Sequence, residues 1–403
     1  MARAMKDSGI AWIGEIPEEW ERVKIGFLYS FSSGNTLAAL DFDDDGQYAV
    51  YGANGLRGRY NNSNVHGKHI LIGRVGAQCG NIHLVDGDIW VTEHALISER
   101  LTESVEEEYA AYLLEAMNLG QYASGTAQPV IAAEKIRKLY VPLPSIDEQK
   151  RIVNCLDAEC VRIDAVIEQT RASIEEYKKL KQAVITQAVT KGIRPNRPMK
   201  DSGIEWIGEI PVEWHCTKFK YIATVKSNLV QPDEYGDYLQ VSPENIEKGS
   251  GKLLPCQTVS EVGVISGNHL FFKGQILYSK IRPKLNKVAI APFDGLCSAD
   301  MYPIETVLNT HYFVYALRSE CFLTQVSLIT EDRVKMPKIN QDELGNTLFA
   351  IPPYNEQVEI AEYLDNKFIE IDRILGQKQQ LLVDLSTYMK SMIYGYVTGK
   401  KEV

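Results

Sequence analysis

What the 403-residue chain lacks narrows its class first. No apolar run approaches the roughly eighteen residues that a membrane-crossing helix needs. The first residues also lack the basic stretch and apolar segment of a secretion signal. The expectation is a cytoplasmic protein without membrane contact. Only seven cysteines occur, at 79, 155, 160, 216, 256, 297 and 321, with no Cys-x-x-Cys pair and an odd total. That pattern argues against a disulfide framework or a zinc ribbon and for reduced packing residues. No Gly-x-x-x-x-Gly-Lys-Ser/Thr loop for nucleotide phosphates is present. His66-Gly67-Lys68-His69 has metal-like spacing but no further ligand set, so no bound metal is expected and a surface loop is the plainer reading.

Acidic residues are missing locally although the chain is acidic overall, with a net charge of -10. From Gly46 to Val85 there is no Asp or Glu, yet Arg57, Arg59, Lys68 and Arg74 fall inside. From Val262 to Phe293 the same holds around Lys273, Lys280, Arg282, Lys284 and Lys287. Two acid-free basic windows suggest two local surfaces for an anionic ligand, against the alternative of chance segregation on a solvated face.

What is present in excess is repetition, which decides architecture before any single motif does. MKDSGIAWIGEIPEEW at Met5 returns at Met199 as MKDSGIEWIGEIPVEW, identical at fourteen of sixteen positions and offset by 194. PLPSIDEQKRIVNCLDAECVRID at Pro142 and IPPYNEQVEIAEYLDNKFIEID at Ile351 share Pro, Glu-Gln, Leu-Asp and Ile-Asp at an offset of 208. The order is a constant short segment, a variable middle and a constant helical segment, all repeated. The second middle is about fourteen residues longer, and the two middles show little resemblance.

Each constant helical segment carries an apolar seam stepping by four and three. Leu156, Ile163, Ile167, Ile174 and Val184 mark the first; Leu364, Phe368, Ile371, Leu375, Leu382, Leu385 and Met389 mark the second. Charged residues fill the steps between, and Thr170 and Lys378 share one polar step. A matched seam of this length predicts two long helices packed by knobs into holes, rather than two buried core helices. A helix of about 44 residues would be roughly 66 Å long. Ser145 and Glu148 suit a capping box at the first helix start, whereas Pro353 stands at the second and leaves Asn355 as the expected cap. Gly192 and the proline-rich IRPNRP end the first helix.

The middles contain short β-rich runs (HILIGRV, NIHLV, IWVTEHALI, QILYSKI, KVAIA) with helical pieces at 105–117 and 310–323. Two such middles, each preceded by Trp-Ile-Gly-Glu-Ile-Pro-x-x-Trp and followed by a helix beginning Pro-x-x-x-x-Glu-Gln, resemble the specificity subunit of a type I restriction-modification system across essentially the whole chain. YGANGLRGRYNN, ILIGRVGAQCGNIHLV and WVTEHALI are similar to one target-recognition subtype, and KGQILYSKIRPKLNKVAIAPFDGLCSADMYPI to another. The resemblance implies an α+β chain with two mixed globular recognition domains separated by two long helices in an antiparallel coiled coil, with an internal pseudo-twofold repeat. The segments would be 1–144, the first recognition domain with its repeated segment; 145–192, the first helix; 193–352, linker, repeated segment and second recognition domain; and 353–403, the second helix.

The function it implies is recognition of a bipartite double-stranded DNA target, one half per domain, with the helical rod setting the spacer and docking two adenine methyltransferase subunits. Restriction/translocase subunits would join through them. S-adenosylmethionine, ATP and Mg would then belong to partner subunits, with no cofactor and no catalysis in this chain. The alternatives are the specificity subunit of a related methyltransferase-nuclease fusion system, and a coiled-coil scaffold that binds no DNA. Catalysis by the chain itself is disfavoured, because Ile351-Pro352-Pro353-Tyr354 lacks the side-chain oxygen that an amino-methyltransferase needs at its first position to hold a flipped base.

Phosphates call for fixed positive charge, guanine for Arg and adenine for Asn or Gln. The candidate DNA-binding residues are Asn54, Arg57, Arg59, Lys68, Arg74, Gln78, Asn81 and the weaker Gln128 in the first domain. In the second they are Lys273, Tyr278, Lys280, Arg282, Lys284, Asn286 and Lys287. Four of the five tryptophans sit in the repeated 16-mers. Being alike, they cannot discriminate different half-sites, and are expected to anchor each domain to the rod or to a methyltransferase.

Overall fold

The computed structural model describes residues 3–125, 128–333 and 335–403. The chain folds as two compact units, Met1–Thr170 with Gln379–Val403, and Arg171–Lys378. Contiguous sequence segments and spatial units therefore differ, because each unit takes part of both long helices. Those helices span Ile146–Lys191 and Tyr354–Val397.

Each unit begins with the repeated segment folded as a hairpin. Met5–Ile10 pairs antiparallel with Gly14–Pro17, and Met199–Asp201 with Glu209–Pro211. The proline carbonyl then accepts from the amide of the second tryptophan in a tight turn, Trp20 N to Pro17 O at 3.0 Å and Trp214 N to Pro211 O at 2.9 Å. Proline suits this corner because it fixes φ and the turn needs only its carbonyl. The next strand, Glu21–Lys24, pairs with Tyr140–Leu143 just before the first long helix; His215–Lys218 pairs likewise with Leu348–Ile351 before the second. The chain thus leaves and re-enters the constant frame on adjacent strands.

Between these strands the divergent middles share a plan. Each has a four-stranded sheet, in the order 29–33, 95–100, 69–73, 82–85 in the first and 223–225, 301–306, 276–279, 288–290 in the second. Each also has a second sheet built on a parallel pair, Tyr48–Gly52 with Ile89–Val91 and Leu239–Val241 with Gly295–Cys297. The longer middle adds strands Asn268–Phe271 and Leu229–Val230 to that sheet. IWVTEHALI is not one strand, since Thr92–His94 turn the chain from the smaller sheet into the four-stranded one. The helical piece at 310–323 is likewise two helices, Thr310–Arg318 and Glu320–Ile329. Ser319 divides them with extended dihedrals, its hydroxyl accepting from Phe322 N.

The long helices pack antiparallel. In the first unit Ile152, Leu156 and Ile163, with Ile167 at the margin, share a core with Leu385, Met389, Met392, Ile393 and Val397. In the second unit Val184, Ile185, Ala188 and Val189 share one with Ile360, Leu364, Phe368, Ile371 and Leu375. Ile174 is buried and Leu382 half-buried. Thr170 is buried but satisfies its hydroxyl within its own helix, on Val166 O at 2.7 Å. Lys378 lays its ammonium over the Tyr177 ring, 5.7 Å from the centroid.

The helix starts correct the capping expectations. Ser145 Oγ accepts from Glu148 N at 3.4 Å, but the Glu148 carboxylate is used by other partners and the box stays half-made. Asn355 lies inside the second helix and is not its cap. Among the described residues no helix is long and apolar enough to cross a membrane. All seven cysteines are free.

Candidate nucleic-acid interface

The Glu-Gln pair at the start of each long helix fixes the domains to the frame. Glu148 accepts from Trp20 Nε1 at 3.0 Å and pairs with Arg3 at 2.6 Å. Glu356 accepts from Trp214 Nε1 at 3.0 Å and forms a buried ion pair with Arg197. The carboxylate holds the Arg197 guanidinium more firmly protonated than usual. The glutamines reach the domain helices. Gln149 Oε1 accepts from Glu106 N at 2.9 Å, and Gln357 Oε1 from Asn309 N at 2.8 Å. Glu106 and Asn309 are the residues that precede helices Glu107–Ala116 and Thr310–Arg318. Further along those helices Tyr112 donates to Asp157 at 2.6 Å and Tyr315 to Asp365 at 2.5 Å. Trp20 and Trp214, the second tryptophan of each repeated segment, therefore grip the start of the long helix that follows their own middle. The tyrosine anchors were missed in the sequence, although Tyr-x-x-Tyr occurs in both middles and Leu-Asp in both long helices.

On this frame stands, in each unit, one loop closed by matching main-chain hydrogen bonds but carrying different side chains. In the first unit it is Arg74–Asn81. Ile131 N donates to Arg74 O at 3.0 Å, Gly76 N to Pro129 O at 2.9 Å, Cys79 N to Gly76 O at 3.0 Å, and Gly73 N to Asn81 O at 2.8 Å. In the second unit it is Lys280–Lys287. Ile339 N donates to Lys280 O at 3.0 Å, Arg282 N to Pro337 O at 2.7 Å, Leu285 N to Arg282 O at 2.8 Å, and Ser279 N to Lys287 O at 3.0 Å. The preceding turn matches too, with Arg74 N on His94 O at 2.8 Å and Lys280 N on Asp300 O at 3.0 Å. Gly76 and Gly80 have φ of 80° and 92°; their counterparts Arg282 and Asn286 have 46° and 51°.

The first loop end gathers six of the eight candidates of its domain. A Cβ on Gly73 would lie 2.6 Å from Ala53 O and 2.3 Å from Gln78 O, so the turn carrying Asn54 abuts the loop. Arg57 is exposed one strand step beyond that turn, its guanidinium 5.7 Å from the Phe42 ring centre. Gln128 is exposed beside Pro129, which the loop binds. Arg74 is steadied by Ser33 Oγ at 2.7 Å, and Asn81 Nδ2 donates to Gln78 Oε1 at 2.7 Å. Two candidates stand apart. Arg59 is committed to the Gly46 and Gln47 carbonyls. Lys68 pairs with Glu108 at 2.5 Å, beyond the far end of strand His69–Gly73 from Arg74.

In the second unit Lys280, Arg282 and Lys284 share the loop; Arg282 and Lys284 are exposed and Lys280 is half-buried over the Tyr302 ring. Burial, then the nearby Lys338 charge, lowers the Lys280 pKa. Burial and the Lys280 charge lower that of His269, and burial lowers that of His83 beside the first loop end. Three candidates are corrected to structural roles. Tyr278 is buried edge-on to Phe322, out of reach of any duplex. Asn286 is buried and donates to Arg318 O at 3.1 Å. Lys287 gives its ammonium to Pro243 O at 2.7 Å. Lys273 lies across strand Ile276–Ser279 from the loop.

No group of three or more His, Cys, Asp or Glu able to hold a metal occurs among the described residues. His66 contacts Asp88 at 2.7 Å, and His69 meets Ser98 O at 2.6 Å and His66 O at 3.0 Å.

The family model described as the type I restriction modification DNA specificity domain matches residues 17–176 and again 211–382. The chain is 31% identical over 401 residues to the type I restriction enzyme EcoDI specificity subunit of Escherichia coli, covering 94% of this chain and 88% of that protein. It is 25% identical over 422 residues to the type I restriction enzyme MjaVIII specificity subunit of Methanocaldococcus jannaschii, covering 96% and 94%. A solved chain from work on complex assembly and conformational transition of the type I R-M system shares the fold with a TM-score of 0.71 at 14% identity, over 96% of this chain and 99% of that one.

Proposed function

The chain belongs to the type I restriction-modification DNA specificity family, and from that premise we propose that each unit reads one half of a bipartite DNA target through its loop end, for two adenine methyltransferase subunits. It is the sequence-recognising component of such a system and not a catalytic one. The observation that carries the reading is the contrast between a repeated frame, with its opening segment identical at fourteen of sixteen positions and Glu-Gln at both helix starts, and two matched loops that differ at every position. A common frame suits two copies of one partner, and different loops suit two different half-sites.

Exposed apolar side chains recur in the frame and support the partner assignment. Phe27 and Tyr221, at equivalent positions of the short turns Ile25–Leu28 and Phe219–Ile222, are 71% and 69% exposed. Val161 and Ile369, equivalent on the long helices, are 69% and 70% exposed. Two like surfaces on two units are what two copies of a methyltransferase would need; restriction/translocase subunits would join through them. S-adenosylmethionine, ATP and Mg would be held by those partners. The deciding experiment is co-expression with the cognate methyltransferase followed by single-molecule mapping of methylated adenines. A gapped two-part motif that disappears without this chain is expected; methylation independent of it would refute the reading.

A further inference from the structure

Arg282 occupies a backbone conformation that the equivalent loop gives to glycine. Its φ of 46° and ψ of 55° are left-handed, where a side chain is disfavoured and where an observed outlier points toward function rather than packing. The matching residue in the first unit is Gly76, with a φ of 80°. Two features show that the loop does not keep Arg282 for its own folding. Gly76 makes the same two backbone bonds, to the 129–131 segment and to Cys79, with no side chain at all. The Arg282 guanidinium is exposed and makes no hydrogen bond or ion pair among the described residues. Pro283 follows it, and Leu285 N and Asn286 N close the turn onto Arg282 O and Pro283 O at 2.8 and 3.0 Å, so the Cα–Cβ direction is held firmly.

We propose that Arg282 is a specificity-determining residue of the second unit, reading a guanine by its forked N–H groups, and that Gly76 leaves this position unread in the first unit. The assignment rests on the DNA-reading function above. Guanine presents two acceptors, O6 and N7, in the major groove, and a guanidinium can donate to both at once, whereas an ammonium meets them as a single point. Lys280 and Lys284 flank Arg282 on the same loop and suit phosphate contacts that position it without selecting a base. In the first loop the equivalents are Arg74 and Gln78, and Gln78 is amide-paired with Asn81.

The test uses the full chain in complex with its methyltransferase, comparing wild type, Arg282→Gly and Arg282→Lys by methylated-adenine mapping and by binding to duplexes with one base pair changed at a time. Glycine accepts the left-handed backbone, so the loop keeps its shape, which unchanged hydrogen-exchange protection in peptides covering 276–290 and 337–339 confirms. Arg282→Gly is expected to relax one G·C position of one half-site by about ten-fold or more, leaving the other half-site as stringent as before. Arg282→Lys is expected to relax the same position. If both variants keep wild-type stringency at every position, or if the second half-site holds no G·C pair, the proposal is overturned. If the wild-type complex methylates no gapped motif, the functional reading itself has failed, a distinguishable outcome.

Discussion

Replacing Glu356 with glutamine tests whether the repeated tryptophan segment holds its unit together through the long helix. The Glu356 side chain is 4% exposed and that of its partner Arg197 11%. Its carboxylate accepts from Trp214 Nε1 at 3.0 Å and from Arg197 Nη2 at 3.3 Å besides the direct ion pair. Glutamine keeps the shape and one acceptor for the indole, so what is lost is the countercharge of a buried guanidinium. Breaking one side of a buried pair costs about 3–5 kcal/mol. Glu213, 3.0 Å from Arg197 Nη2 but with a side chain 57% exposed, offsets only part of this. The expected loss is therefore about 3 kcal/mol, the low end of that range. Trp214→Phe removes only the charge-assisted N–H contact and some area, and should cost roughly 1.5–3 kcal/mol. Because the chain has two units, one global unfolding curve is unsuitable. Hydrogen exchange resolved by peptide reads the effect as lost protection in the hairpin at 199–211 and the helix start at 354–364. Glu148→Gln should cost less, since that side chain is 14% exposed and its Arg3 partner 17%. A change under about 0.5 kcal/mol for Glu356→Gln, or a larger one for Glu148→Gln, would refute the reasoning.

Gly192→Ala should destabilise the same junction by about 2 kcal/mol or more, because φ is 75° and a Cβ would stand 2.7 Å from Arg197 Nη1 and 3.0 Å from Glu356 Oε1; protection of the linker at 192–198 is the readout. His83 and His269 should titrate below the ordinary histidine value of 6.5 because burial disfavours their charged forms, which side-chain NMR can measure. The folded state then binds fewer protons than the unfolded chain, so their contribution is complete above pH 6.5 and declines as pH falls through the lowered folded values; a histidine titrating above that value contradicts this. Inserting about seven residues, two helical turns, in phase into both long helices should lengthen the unread gap between half-sites by about 10 Å, roughly three base pairs, scored on duplexes of graded gap; an unchanged preferred gap removes the helices from spacer control.

How much of this could be read from sequence depends on what carried each feature. The frame was legible because its contacts are made by side chains that must recur: two tryptophans, a proline at the turn, and Glu-Gln at each helix start. The shared plan of the middles was not legible, because it is held by main-chain hydrogen bonds that leave no trace in residue identity. RVGAQCGN and KIRPKLNK share no residue in register, yet close the same loop on the segments 129–131 and 337–339. Acid-free charge marked the stretches that hold the two matched loops but could not sort their residues, since Arg59, Lys68 and Lys287 spend their charge on carbonyls or a carboxylate of the protein itself. Tyr278 misled for the opposite reason: an aromatic next to basic residues suits nucleic acid as well as a strand facing the core.

The strands that flank each middle have a further consequence. Glu21 faces Leu143 across one antiparallel ladder, and His215 faces Ile351 across the other. Neighbouring strands lie about 4.8 Å apart, so everything between them is an excursion that starts and finishes at one doorway. The fourteen extra residues of the second excursion leave that doorway as it is in the first. To the rest of the molecule each middle is thus a long excursion held by one short ladder and by two anchors on the long helix that follows it, Glu106 and Tyr112 in the first and Asn309 and Tyr315 in the second. A middle that keeps this ladder and these anchors should therefore be exchangeable as a whole between frames, with the frame folding as before.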